Sequence, residues 1–311
     1  MIMTRRSFFQ LCVASAAVIG LSDEDLFHLE QSLASPLSPS IVWLQGSTCA
    51  GCSISFLNGT MSDEPPRGGN TVISAANILF HPMLMAGIGQ DAVSVLDKVV
   101  AQHNYILMVE GGIPTAFNGE ACTVWTKKGH TVTMKQAVVD IAANASAVIA
   151  VGTCASYGGI SAAPPNPSNV KRVSDVIGKP TINVPGCPPH PDWILWTLTH
   201  ILLKTEFATD MHGRLINIYG RSVHSHCPNE SKPEVSAYGQ EGCTERLGCR
   251  GEVAFANCPT SKWNGKVNWC IGAGGTCLGC TEPDFPAQRQ ARRQEPDEGH
   301  DGESEDSDEL D

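Results

Sequence analysis

Beyond residue 21 the 311-residue sequence has no stretch of about twenty uninterrupted apolar residues, so that part of the chain is not expected to span a membrane by itself. Charged residues make up 17% and aromatics 6%, and Lys plus Arg are outnumbered 21 to 32 by Asp plus Glu. With no basic surplus to neutralise phosphates, nucleic acid is not an expected partner. The acidic excess is itself local. Ten acidic side chains and no Lys or Arg lie in 295–311, so of the formal net charge of −11 only −1 (−11 + 10) belongs to the rest. Residues 287–311 therefore read as a low-complexity, solvated tail. What the chain has in excess is cysteine, 13 in all. It is far too long for a small disulfide scaffold, so metal is the first explanation to consider.

The N-terminus runs Arg5-Arg6-Ser-Phe8-Phe9 into the apolar segment 11–21. It reads as a twin-arginine export signal occupying 1–35. The apolar run is about half a bilayer span, which fits a removable leader better than an anchor. An ordinary amphipathic helix is the alternative, and paired arginines before two phenylalanines fit it poorly. Because this route carries folded, cofactor-loaded proteins, signal and cysteine excess agree. The expected location is periplasmic or otherwise extracytoplasmic, with membrane association only through a partner.

After a Ser/Pro-rich link (32–40), apolar runs recur at 41–44, 105–109, 147–151 and 181–184, each bounded by Gly or Pro. Short and rich in β-branched residues, they predict buried parallel strands. Segments 72–84, 90–102 and 134–143 predict crossover helices. The expected fold is α/β, a flavodoxin-like parallel sheet domain over 36–205. From 206 to 286 Gly, Cys, Asn, Pro and Trp dominate with little periodicity. A second domain with little regular structure is expected there, organised by ligand bonds rather than by a core of its own.

The cysteines fall into sets. Cys49 and Cys52 follow the first strand, Cys154 the third and Cys187 the fourth. All lie just past carboxyl ends of parallel strands, the edge where open α/β sheets place ligands. Further on, His224-Ser-His-Cys227 precedes Cys243 and Cys249, giving three thiolates and an imidazole; His226 is the alternative, less suitably spaced ligand. Cys258, Cys270 and the pair Cys277-Leu-Gly-Cys280 form the last set. Each set suits zinc or an iron–sulfur cube. Zinc prefers compact CxxC pairs, whereas single thiols spread over long stretches favour a cluster, and disulfides are disfavoured by export after folding. Cys12 lies in the leader, and Cys122 reads as a buried structural thiol. Trp263 and Trp269 are expected to pack against cluster, partner or plain core.

These motifs, with Val109-Glu110-Gly-Gly-Ile-Pro-Thr115, Pro185-Gly-Cys187-Pro-Pro-His-Pro191 and Gly279-Cys280-Thr-Glu-Pro-Asp-Phe285, resemble the small subunit of the nickel–iron hydrogenases from 41 to about 286. The resemblance implies an electron-transferring subunit that relays electrons between a large-subunit nickel–iron centre and an external carrier during H2 oxidation or evolution. It implies a proximal 4Fe–4S cluster on Cys49, Cys52, Cys154 and Cys187. A distal 4Fe–4S cluster falls to His224, Cys227, Cys243 and Cys249, and a medial cluster to Cys258, Cys270, Cys277 and Cys280. Most members carry proline where this chain has Cys270 and hold a 3Fe–4S medial cluster; a fourth thiolate implies 4Fe–4S, as in the nickel–iron–selenium branch. Oxygen-tolerant members have two extra cysteines at positions matching Gly51 and Gly159, so oxygen sensitivity is implied. No catalytic residue is expected in this chain, although Glu110 is a candidate proton relay or interface residue, with plain hydrogen bonding as the alternative. The expected partners are the large subunit and a carrier such as a multihaem c-type cytochrome, which the acidic tail would help to dock. A cluster-bearing quinone-reductase subunit shares the first half only. A hydrogen sensor conflicts with the export signal, and a zinc-stabilised structural protein would lack iron.

Overall fold

The computed structural model describes residues 39–59 and 77–286; the leader and the acidic tail lie outside them. Five strands form one parallel sheet: β1 (Ser40–Gln45), β2 (Ile78–Phe80), β3 (Tyr105–Glu110), β4 (Ala147–Val151) and β5 (Ile182–Val184). Their order, β2-β1-β3-β4-β5, is that of flavodoxin-type folds. The chain reverses direction across the sheet at β1 and β3, which pair in register from Ser40 with Tyr105 to Gln45 with Glu110. A crevice therefore opens beyond Gln45 and Glu110.

The strands read as continuous apolar runs because both sheet faces are covered. Ile41, Trp43, Ile106, Met108, Ile149 and Val151 face one core with α1 (Gly51–Gly59) and α6 (Pro191–Leu203). Val42, Leu44, Leu107, Val109, Val148 and Ala150 face the other, under α2 (Gly89–Ala101) and α3 (Met134–Ala143). On α2 the buried Val93, Leu96 and Val99 recur at helical spacing. Thr133 caps α3 by accepting from the Gln136 amide at 3.1 Å. The short helices α4 (Thr153–Tyr157) and α5 (Val173–Ile177) complete the layer between β4 and β5.

The helix expected at 72–84 is corrected by β2. Ile78 and Phe80 are buried while Leu79 is 40% exposed, a period of two. Parallel pairing of Ile78 with Ile41 and of Phe80 with Val42 overrides the local helical reading. Residues 72–76 of that segment lie outside the described part. Conversely, α1 and α6 emerge where no helix was expected: Pro191 opens α6, and Lys204, at φ +54°, closes it.

From 206 onward only short helical turns and isolated bridges occur among the described residues, as expected. The expectation that this part lacks an apolar core needs amendment. Leu215, Ile218, Tyr219, Val223, Ala254, Ala256, Trp269 and Ile271 join the core built on α6. Trp263 packs edge-on against Trp193 and His190, at 5.8 and 5.0 Å between ring centroids.

Candidate metal centres

Cys49 sits in the loop after β1, Cys52 in the first turn of α1, Cys154 in α4 and Cys187 just past β5. Interstrand bonds hold these loops together. Gly152 N donates to Val184 O at 2.9 Å and Thr153 N to Gly186 O at 3.1 Å, and Gly186 N donates to Thr153 Oγ1 at 2.9 Å. Gly152 turns at φ +85°, and a Cβ there would collide with Cys52 Sγ, so only glycine lets this loop lie against the thiol. The thiols form one electrostatic neighbourhood. Burial pushes Cys52 well above its ordinary value, and Glu110, Cys154, Cys187 and Cys49 add to the rise. Cys187 is pushed up to about 11 by burial, then by Cys154 and Cys49. Burial and proximity thus disfavour the bare thiolates, which a bound cation or cationic cluster would stabilise.

Glu110, at the end of β3, is fully buried. Its Oε1 accepts from Thr48 Oγ1 at 3.0 Å and from Cys52 N at 3.1 Å. Its Oε2 accepts from Trp43 Nε1 and Gln45 Nε2, both at 3.1 Å, and from Ser53 Oγ. The carboxylate thus clamps the Cys49–Cys52 loop from beneath, and in the isolated chain it presents no surface to a neighbouring subunit. Ser53 Oγ also meets His81 Nε2 at 3.1 Å; burial, partly opposed by Glu110, pulls that imidazole down to about 4, leaving it neutral at ordinary pH. Sequence reasoning missed Ser53, Thr48 and His81. His81 directly follows β2, so the strand-edge rule that found the cysteines would have found it had β2 been recognised.

His224, Cys227, Cys243 and Cys249 line one cavity, with Ile271 and Thr244 in its wall. His226 is turned away, its Nδ1 near Ser225 Oγ and Ser222 O at 3.1 and 3.2 Å. Asn229 N donates to Cys227 Sγ at 3.4 Å, a contact suited to a thiolate. The thiols of Cys249 and Cys243 help to raise Cys227, after burial.

The last set lies between these two. Cys258 is pushed well above its ordinary value by burial, then by Cys280, Cys277 and Cys270. Burial pushes Cys280 up to about 12, against a hydrogen bond from the Cys187 backbone and together with the charges of Cys277, Cys270 and Cys187. Cys277 also rises to about 12 through burial, and its neighbours include Cys249 as well as Cys270. The Thr153 hydroxyl donates to Cys280 O, and Arg250 N to Cys277 O at 2.9 Å. One end of this set is therefore tied to the loop that carries Cys154 and the other to the loop that carries Cys249.

Among the described residues no group of three or more His, Cys, Asp or Glu side chains is arranged to hold a metal ion. Cys122, half-buried, belongs to none of the sets and packs against the core under α2 and α3.

Two family models match in succession. The model of the NADH ubiquinone oxidoreductase 20 Kd subunit spans residues 49–201, and that of the C-terminal region of the NiFe/NiFeSe hydrogenase small subunit spans 219–292. The small subunit of the periplasmic NiFeSe hydrogenase of Desulfomicrobium baculatum is 37% identical over 92% of this chain and 97% of its own. That of the periplasmic NiFe hydrogenase of Solidesulfovibrio fructosivorans is 35% identical over 91% and 90%. The crystal structure of a reduced, active form of the D. baculatum enzyme superposes with a TM-score of 0.74 over 81% of this chain and 97% of its counterpart, at 37% identity.

Proposed function

Because the chain belongs to the small subunits of the nickel–iron and nickel–iron–selenium hydrogenases, we propose that its three ligand sets hold a proximal, a medial and a distal cluster in a row. The protein is the iron–sulfur, electron-transferring subunit of a heterodimeric hydrogenase whose nickel–iron centre resides in the large subunit. Cys49, Cys52, Cys154 and Cys187 are assigned to the proximal cluster and His224, Cys227, Cys243 and Cys249 to the distal one. Cys258, Cys270, Cys277 and Cys280 take the medial cluster. When bound, such clusters take up and pass on single electrons at potentials set by ligand type, charge and hydrogen bonding. The observation that carries this reading is that backbone oxygens of the middle set are held by both other sets' loops: Thr153, next to Cys154, donates to Cys280 O, and Arg250, next to Cys249, donates to Cys277 O at 2.9 Å.

The protein's own contribution is to fix the loops that carry the thiols. Glu110 clamps the proximal loop, Arg250 ties the distal loop to Cys277, and the residues of 36–205 and 206–286 act as two cluster-bearing units that share one core. With four thiolates in the middle set, all three clusters are 4Fe–4S. The arginine-pair leader, together with the periplasmic naming of the relatives, supports export and a periplasmic complex serving an external carrier such as a multihaem c-type cytochrome. Among the described residues no helix is long and apolar enough to cross a membrane.

The test is iron analysis with EPR on the complex of both subunits. About twelve irons per small subunit and no three-iron signal after oxidation are expected. A colourless complex sinks the assignment, and a three-iron signal in the cluster-replete enzyme sinks the medial one.

A further inference from the structure

Thr244 follows the distal ligand Cys243 and lines the cavity that His224, Cys227, Cys243 and Cys249 share. It is 7% exposed, and its Oγ1 is buried without a hydrogen-bond partner. Among the described side chains only the Tyr157 hydroxyl is in the same condition. A buried hydroxyl left unpaired costs about 1–3 kcal/mol, and native proteins seldom tolerate it unless a group such as a bound ion or water answers it. Here the vacant hydrogen-bonding direction belongs to a residue in the wall of a cavity with a complete ligand set.

We propose that Thr244 Oγ1 donates a hydrogen bond to a sulfur of the distal cluster, either a sulfide or a ligand thiolate, and thereby raises that cluster's reduction potential. The inference rests on the distal ligand set assigned above. A hydroxyl has one proton to give, and thiolates and sulfides are acceptors, so the direction of the bond is fixed. The bond strengthens as the cluster gains negative charge, so it favours the reduced state. The Asn229 amide, 3.4 Å from Cys227 Sγ, acts in the same sense, as does replacement of one thiolate by the neutral imidazole of His224. All three push the same way at the cluster that passes electrons to the outside.

Thr244→Val keeps the shape and removes only the hydroxyl, while Thr244→Ser keeps the hydroxyl. In the purified two-subunit complex, an EPR-monitored redox titration reads the distal potential. Pulsed EPR after exchange into D2O reads the deuteron on the hydroxyl. Thr244→Val should lower the distal potential and lose one exchangeable deuteron coupling, leaving the other clusters unmoved, and Thr244→Ser should restore both. A distal signal of unchanged potential and coupling in Thr244→Val overturns the hydrogen bond alone. If the parent's distal signal lacks imidazole nitrogen coupling and survives Cys249→Ser unchanged, the ligand set is wrong and the inference falls with it.

Discussion

At Gly152 the backbone turns with φ +85°, and an added Cβ would run into Cys52 Sγ. This backbone conformation, φ +85° with ψ 161°, is essentially restricted to glycine and costs another residue roughly 1–3 kcal/mol, and the collision adds to it by displacing a proposed proximal ligand. Gly152→Ala should therefore lower the melting temperature of the complex and cut its iron content by about four per small subunit, with the proximal EPR signal lost first. Retention of a full complement of iron would show that the loop has slack. Such residues were only half legible in the sequence. The glycines beside the thiols were visible as a pattern, but which one touches which sulfur depends on loops from β1 and β4 meeting across the sheet edge. Ser53 and Thr48, which feed Glu110, are single polar residues with no spacing to distinguish them.

Between elements, Arg214 is the main polar tie. It is 3% exposed, donates through Nε to Asp210 Oδ2 at 2.7 Å and through Nη1 to Glu282 Oε1 at 2.9 Å and to Thr281 O at 3.2 Å. Glu282 Oε1 also accepts from Phe255 N at 2.7 Å, and the guanidinium lies over the Tyr219 and Phe255 rings. One side chain thus fastens the segment that follows α6 to the end of the last cysteine set. Burial alone would raise the Asp210 carboxyl, but hydrogen bonds from Arg214 hold it below its ordinary range. Arg214→Met leaves Glu282 buried without its cation, a loss of about 3–5 kcal/mol for a broken buried pair. A large fall in the denaturant midpoint of the complex is expected, and an unchanged midpoint would contradict the role. None of this was legible beforehand, since Asp210 and Arg214 look like an ordinary local pair and Glu282 lies 68 residues away.

For the molecule as a whole, Gly51 and Gly159 stand beside Cys49 and Cys154, where a further thiol would join the set proposed to hold the proximal cluster. With glycine at both positions, hydrogen uptake by the purified complex should decay on exposure to air, measured against an anaerobic control; sustained turnover in air would refute this. Deleting 295–311 should slow reduction of a basic multihaem cytochrome at low ionic strength and leave the rate at high salt unchanged, because charge steering is screened by salt. An equal rate at low salt would reduce the tail to a solubility device. By itself the sequence determined the parallel strands and the strand-edge placement of the first four cysteines, because apolar runs and the loops that follow them are local properties of a chain; the grouping of twelve ligands is its proposal. Only the tertiary structure decided which loops hold the last cysteine set, those of Cys154 and Cys249, that the irregular second half continues the core of the first, and that β2 is a strand. Those outcomes depend on which distant surfaces meet, and in this chain they meet through side chains such as Arg214, Thr153 and Trp193 whose partners no local pattern encodes.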